Sequence, residues 1–201
     1  MIQRTSSHAI SARDSIRKAA IRLFSEKGYS ATSTREICER AKVTKPTLYY
    51  HFGSKEQLYR DLIFDESSEC KRELARAATR GKNARERLVE VLTVDFALTR
   101  REPELTQMMF RSLFSPKKEM PSIDFIEIGM EWADLLEVII REGVKNRELE
   151  GKPREIAESI LGIHLIYTMA YVIVGKPDLN RALARRIIDL VVDGCGNLSG
   201  K

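Results

Sequence analysis

The chain has 201 residues, of which 43% are hydrophobic and 31% charged, with a formal net charge of +5. This balance describes an ordinary folded protein and excludes a disordered or fibrous chain, and the length allows one large domain or two small ones. Residues 1–55 carry 11 Lys and Arg against 4 Asp and Glu, whereas the remainder carries 23 against 25. A basic amino-terminal part suits a polyanionic partner; the alternative is a solvated basic surface.

Cysteine and histidine usage argues against disulfides, metal sites and catalysis. Cys38, Cys70 and Cys195 are widely spaced and form no CxxC pair, so reduced thiols in a cytoplasmic protein are expected. The three histidines have no metal-ligand spacing, and the sequence contains no glycine-rich phosphate loop or nucleophile elbow. We therefore expect no metal, no cofactor and no enzymatic activity.

Apolar periodicity predicts an all-α fold with about nine helices. Six prolines separate long segments in which apolar residues recur with a period near 3.6, and no strand-like alternation is seen. Residues 1–11 form a polar stretch without the apolar region of a signal peptide, and we expect a flexible tail. The first helix is predicted from Ala12 to Lys27, with Gly28 as its stop.

Two short helices joined by a tight turn are predicted next. Ser33 and Glu36 have the spacing of a capping box and begin the first of them. Thr44 can cap the second, which runs from about Lys45 to His51. This pattern is a helix-turn-helix, three helices including the first one, and its last helix is narrow enough for the DNA major groove. That helix presents polar side chains: Lys45, Thr47, Tyr49, Tyr50 and His51.

Six further helices are predicted for the rest of the chain. Ser54 to Gln57 has the pattern of a second capping box and opens a fourth helix to about Ala78. Prolines at 116 and 121 indicate a loop. The remaining helices are expected at about 83–98, 103–114, 121–145, 153–175 and 179–193, with Asn146 as a left-handed stop.

Residues 28–58 resemble a known family. The matching positions are Gly28-Tyr29-x-x-Thr32-Ser33-Thr34-Arg35-Glu36-Ile37, then Ala41-x-Val43-Thr44-Lys45, then Thr47-Leu48-Tyr49-Tyr50-His51-Phe52-x-Ser54-Lys55-Glu56-x-Leu58. This order closely resembles the amino-terminal signature of the TetR family of transcriptional repressors, and the resemblance covers about residues 13–60. It implies a helix-turn-helix DNA-binding domain at 12–55 and a ligand-binding and dimerisation domain at 56–201.

The resemblance implies a double-stranded DNA operator as partner. It assigns Thr34 to phosphate and residues 44–47 to the neighbourhood of the bases. The implied DNA-binding residues are Thr34, Thr44, Lys45, Pro46, Thr47, Tyr49, Tyr50, His51 and Lys55. The alternatives are that a tyrosine covers the small core, that His51 is a solvated helix end, and that Lys55 is an ordinary surface lysine. Lys42, where the family's turn usually has glycine, and Pro46, where a small residue is common, depart from the pattern.

The last two helices are expected to form a homodimer. The apolar run from Ile160 to Val174 is interpreted as too short and too polar for a membrane span and as a buried helix at a subunit interface. The last two helices, packed against the same two helices of a second chain, would form a four-helix bundle, as the resemblance implies. The alternative is that both helices are core within one chain. The predicted dimer residues are Ile160, Ile163, Tyr167, Val174, Leu183, Ile187, Leu190 and Val191.

Large apolar residues between the fourth helix and the last pair suggest a pocket for a small hydrophobic effector. The alternative is plain core. The candidate ligand-binding residues are Phe64, Phe96, Met109, Phe110, Phe125, Trp132, His164 and Tyr167. The fourth helix, shared by both domains, is expected to couple the pocket to the DNA-binding part.

Together these features favour a ligand-responsive regulator in the cytoplasm. The expected activity is repression by a dimer that binds a pseudo-palindromic operator and is released by an effector. The alternative is a constitutive dimeric DNA-binding protein, or an activator without a ligand switch.

Overall fold

The structure, a computed structural model, describes residues 11–116, 118 and 120–194. The predicted tail lies outside the described residues except for Ser11, as do Cys195 and parts of the loop near 117–119. Over the described ranges the chain forms nine α-helices and no strand, which confirms the all-α prediction. The helices are α1 (Ala12–Lys27), α2 (Thr34–Ala41), α3 (Lys45–Phe52), α4 (Lys55–Ala77), α5 (Ala84–Arg101), α6 (Pro103–Leu113), α7 (Phe125–Lys145), α8 (Pro153–Val174) and α9 (Arg181–Asp193).

Side-chain caps set most of the helix starts. Ser33 accepts a hydrogen bond from the Glu36 amide, and the Glu36 carboxylate accepts one from the Ser33 amide, so the first capping box is complete. The second is only half formed. Ser54 accepts from the Gln57 amide, but the Gln57 side chain donates to Asp61 instead of returning to the cap.

Three predicted helix ends were wrong. Helix α5 continues past residue 98 to Arg101. Helix α7 begins at Phe125 and not at 121–122, because the Asp124 carboxylate accepts hydrogen bonds from the two amides that follow Phe125. The left-handed residue after α7 is Arg147, with φ 63°, and not Asn146, with φ −84°.

The amino-terminal helices share a core, called here the head core, with parts of α4 and α6. It contains buried residues from α1, α2 and α3, together with Leu58 and Tyr59 of α4 and Leu105 and Met108 of α6. The ring of Tyr59 packs edge-on against Phe24 at 5.1 Å. A boundary at residue 55 therefore falls just before the part of α4 that packs with the head.

A second core, the body core, holds the other helices together. It joins the carboxyl end of α4 with α5, α7, α8 and α9, and its largest fully buried side chains include Phe96 and Leu88. Gly143 permits close packing here, since a Cβ on it would stand 2.6 Å from the Cβ of Ala84. The body is thus a helical bundle whose α4 and α6 extend towards the head.

Helix α8 is only partly covered by its own chain. Of the described helices it alone is long and apolar enough, by length and composition, to cross a membrane, so the sequence-based judgement that it was too short was wrong. It starts at Pro153, well before the apolar run, and packs on α7 and α9. In its most apolar window 22% of the residues are buried by the chain itself, so burial of the rest at a subunit interface stays a prediction.

The surface of α8 and α9 corrects part of the predicted dimer face. Ile160, Leu183 and Ile187 are buried in the body core and cannot meet a partner, whereas Ile163, Tyr167 and Val191 are half-buried and pack against that core. Val174 and Leu190 are exposed as predicted. Four exposed apolar side chains on these helices form what we call the α8–α9 face: Ile166, Ile173, Val174 and Leu190. Leu165 is also partly exposed, but it lines the cavity described below.

Candidate nucleic-acid interface and internal cavity

Helix α3 turns one polar face to solvent and one apolar face to the head core. Leu48 and Phe52, four residues apart on one side of the helix, are buried. Lys45, Pro46, Tyr49 and Tyr50 are exposed and His51 is half-buried. Tyr50 is 85% exposed and Tyr49 45% exposed, so neither phenol ring is needed to cover the core.

Thr44 caps the start of α3, and Thr47 lies beside it in the first turn. The Thr44 hydroxyl accepts from the Thr47 amide at 3.4 Å and lies 2.9 Å from the Thr47 hydroxyl. The two hydroxyls therefore form one exposed cluster beside Lys45. At the start of α2, Thr34 is half-buried. All the candidate residues on α3 and its cap thus lie on one short element.

Lys55 differs from the surface lysine that the sequence left open. Its Nζ donates to the carbonyl oxygens of Tyr29 at 3.0 Å and Thr32 at 2.9 Å, and it lies 4.1 Å from the centroid of the Tyr29 ring. Burial lowers the pKa of Lys55. Because an ammonium has three donors, one remains after these two bonds. The side chain holds the α1–α2 turn against the start of α4.

Two basic side chains of the head, Lys42 and Lys45, lie at the turn before α3. Three acidic side chains of the head form ion pairs with other residues: Glu26 with Arg22 and Arg40, Glu36 with Lys27, and Glu39 with Arg35. Among the described residues, no ion pair involves Lys42 or Lys45. Positive charge is therefore left available where α3 begins, and the helix dipole has the same sign there.

A cavity of about 420 Å³, partly open to solvent, lies between α4, α5, α6, α7 and α8. Its walls are mostly apolar, which is typical of small-molecule sites. An ion pair between Lys71 and Glu131 lies at the cavity with both side chains substantially exposed. Five of the eight candidate ligand-binding residues line the cavity: Met109, Phe110, Phe125, Trp132 and His164.

The other three candidates lie elsewhere. Phe64 is 50% exposed on the surface of α4, Phe96 is fully buried behind His164, and Tyr167 packs against the body core. Neither Phe64, Phe96 nor Tyr167 is among the residues that line the cavity. Sequence spacing places an aromatic residue on a helix but does not show which side of that helix faces a cavity.

The cavity also has a buried polar end that the sequence analysis missed. Asp95 and Thr99 of α5 face His164 and Thr168 of α8, and all four are buried. The His164 Nε2 contacts the Asp95 carboxylate. A carboxylate within the apolar stretch 88–98 was the signal available, since a buried acid needs a partner.

Helix α6 lies between the cavity and the head core. Leu105 belongs to both, Met109 and Phe110 line the cavity, and Met108 is buried in the head core. The Ser112 hydroxyl of α6 hydrogen-bonds the Tyr59 hydroxyl of α4 inside that core, and burial raises the pKa of Tyr59 to about 12. Helix α6 thus contacts both the cavity and α1.

Known transcriptional regulators are related to this chain in sequence. Residues 16–62 match the family described as bacterial regulatory proteins, tetR family. The HTH-type transcriptional repressor KstR2 of Mycolicibacterium smegmatis is 24% identical over 152 residues, which cover 73% of each chain. The biofilm operon icaADBC negative transcriptional regulator IcaR of Staphylococcus epidermidis is 46% identical over 51 residues, 25% of this chain and 28% of that protein.

The fold agrees over nearly the whole chain. The fatty acid degradation regulator FadR from Bacillus halodurans superposes with a TM-score of 0.79, covering 94% of this chain and 97% of that one at 20% identity. At this identity the likeness shows the fold alone. With the matched helix-turn-helix and its related regulators, it leads to one conclusion: residues 16–62 form a helix-turn-helix domain of the tetR family, and the protein is a DNA-binding transcriptional regulator.

Proposed function

We propose that the protein is a repressor that binds a two-fold symmetric operator as a homodimer and is released by a small molecule in the cavity. The observation that carries this proposal is the position of α6, which lines the cavity on one side and the head core on the other. A cavity of about 420 Å³ favours this function over that of a constitutive DNA-binding protein, whose body would need only a packed core.

DNA contact is assigned to the exposed face of α3 and its flanks. Lys45 and the Thr44–Thr47 cluster would approach base edges, while Tyr49, Tyr50 and His51 would donate to phosphate oxygens. Thr34 and the remaining donor of Lys55 would meet phosphate beside them. Pro46 lacks an N–H and would contribute shape only.

Dimerisation is assigned to the α8–α9 face, with a second copy of the chain as its partner. Ile166 and Ile173 are seven residues apart on α8 and are 56% and 70% exposed. The spacing places them on one stripe, as a helix-packing seam requires. Two heads joined in this way would read half-sites about 34–36 Å apart, or a related spacing. The packing of α8 on α7 and α9 favours this role over insertion in a membrane.

Release is assigned to α6 and α4 acting together. A ligand that fills the cavity would press on Met109 and Phe110, and the helix that carries them also packs on α1. The Tyr59–Ser112 hydrogen bond ties this movement to α4. A coupling of about 1–3 kcal/mol would change operator affinity roughly 5- to 150-fold.

The DNA part is tested by selecting bound sequences from a random pool with the full chain. The expected product is an inverted repeat. Lys45→Ala should weaken binding to that site and lower the slope of log affinity against log salt by about one if the lysine meets phosphate. Lys145→Ala, an exposed lysine in the last turn of α7, is the matched control and should have no effect. Recovery of an unrepeated half-site, or of no enriched sequence, would contradict the proposal.

The effector part is tested separately. Small apolar molecules that raise the thermal unfolding temperature are added to the complex with the selected operator, and the affinity for DNA is measured. At least one should weaken it within the range given above. Unchanged operator affinity with every stabilising molecule would leave a DNA-binding dimer without a ligand switch.

A further inference from the structure

The buried polar groups of the cavity lie on two facing helices. Asp95 and Thr99 are four residues apart on α5, and His164 and Thr168 are four apart on α8. Four-residue spacing puts each pair on one helix face. The other ionised pair of the lining, Lys71 with Glu131, is substantially exposed. The cavity therefore has one buried polar end and mostly apolar walls, which suits a molecule whose buried polar head lies at that end.

The imidazole ring of His164 is fixed on three sides. It stacks between Phe96, at 5.5 Å and 23°, and Trp132, at 4.8 Å and 16° between ring planes. Its Nε2 contacts the Asp95 carboxylate and lies 3.1 Å from the Thr168 hydroxyl. A carboxylate only accepts hydrogen bonds, so a proton lies on Nε2; in the neutral imidazole with this tautomer, Nδ1 carries the lone pair and is an acceptor.

Two buried polar atoms of this end have no hydrogen-bond partner among the described residues. They are His164 Nδ1 and Trp132 Nε1, and both side chains line the cavity. His164 is 6% exposed. Buried polar groups without partners are rare in native proteins because each costs about 1–3 kcal/mol. One of the two atoms accepts a hydrogen bond and the other donates one, so together they specify a complementary ligand group.

We propose that the cavity binds an apolar molecule whose neutral polar head both donates and accepts a hydrogen bond, such as a hydroxyl or a primary carboxamide. This rests on the proposed function of the cavity as an effector site. The head donates to His164 Nδ1 and accepts from Trp132 Nε1–H. A carboxylate head has no proton for Nδ1 and brings a second negative charge close to Asp95. An ether or ester accepts the hydrogen bond from Trp132 Nε1–H but has no proton to donate to His164 Nδ1.

The test compares three probes of equal chain length by calorimetric titration of the full chain at one pH: n-octanol, n-octyl methyl ether and octanoic acid. We expect n-octanol to bind about tenfold more tightly than the ether, since the ether leaves Nδ1 without a donor. Octanoate should bind more weakly than n-octanol.

Two variants assign the discrimination to named atoms. Asp95→Leu/His164→Phe replaces the buried pair by apolar groups, which avoids leaving a lone charge; the preference for alcohol over ether should then fall to about one. Trp132→Phe keeps the ring and removes the N–H. It should weaken both probes by a similar factor and preserve their ratio, because both carry an acceptor oxygen. Circular dichroism confirms that each variant is folded.

Several results would overturn the inference. They are equal affinity of the native chain for alcohol and ether, tighter binding of octanoate with proton uptake, or no binding of any probe up to its solubility. Retention of the preference in the double variant would also overturn it. Discrimination as expected with unchanged operator affinity would leave the inference standing and contradict ligand release. Operator release without a preference for alcohol over ether would support ligand release and overturn the inference.

Discussion

At residue scale, Lys42 holds a backbone conformation that side chains with a Cβ seldom adopt. Its φ of 55° and ψ of 44° are left-handed, and its amide donates to the carbonyl of Glu39 to close α2. The sequence made this position suspect, since lysine stands where the family's turn usually has glycine. A non-glycine residue in this region costs on the order of 1 kcal/mol.

Lys42→Gly should therefore raise the free energy of unfolding by about 0.5–1 kcal/mol, measured by urea denaturation. Lys42→Ala removes the charge but keeps a Cβ in the same conformation, so it should give no comparable gain. Comparing the operator affinity of the two variants separates the lysine's charge from its backbone. A glycine variant no more stable than the alanine variant would show that the turn is unstrained.

Glu36 links the stability of α2 to acid. Its hydrogen bond from Lys27, and then those from the Ser33 amide and hydroxyl, lower the pKa of its carboxyl from 4.5 to about 2. Because the folded-state pKa is the lower one, this stabilisation is present above about pH 4.5 and is lost as the pH falls towards 2.

Glu36→Gln should consequently destabilise the protein at neutral pH and flatten the acid dependence. The measurement is the urea midpoint from neutral pH down to about pH 3. Lys27→Met removes the largest cause of the shift while keeping the carboxylate, and it should flatten the same region in part. An unchanged slope in Glu36→Gln would mean that other carboxylates control acid unfolding.

At the scale of the elements, α7 has two glycines with opposite requirements. A Cβ at Gly143 would lie 2.6 Å from the Cβ of Ala84 and 2.9 Å from Leu149 Cδ1, whereas one at Gly129 would meet nothing within 4 Å. Both lie inside the same helix, so the gain in helix propensity from alanine is similar.

Gly143→Ala should cost about 1–3 kcal/mol through overpacking, and Gly129→Ala should stabilise by about 0.5–1 kcal/mol. Thermal or urea unfolding of the two variants side by side checks the difference in sign. Equal effects would indicate that the ends of α5 and α7 can move apart at little cost.

The positions of the helices could be predicted better than the side of each helix that is buried. The limits of α1 follow from its caps, and the burial of Leu48 and Phe52 follows from their spacing. On α8, in contrast, apolar residues occupy nearly every side, so periodicity could not separate Ile160, buried in the chain, from Ile173, exposed on its surface. The cavity shows the same limit, since its polar end needs α5 and α8 to face each other.

At the scale of the whole molecule, substitutions in the α8–α9 face test whether two chains assemble through it. Ile166→Asp and Ile173→Asp should each convert a dimer to a monomer, measured by sedimentation, and weaken operator binding at least tenfold because one head holds few contacts. Ile126→Asp, at a 65% exposed position on α7, is the matched control and should change neither. Variants that still sediment as dimers would place the interface elsewhere.

The uncovered face of α8 has a consequence for dosage in the cell. When most copies are single chains, the number of pairs rises with the square of the number of copies, so promoter occupancy does too. Halving expression would then cut occupancy nearly fourfold and not twofold. If the α8–α9 face pairs two chains as proposed, repression would depend more steeply than linearly on protein abundance, before any small molecule arrives.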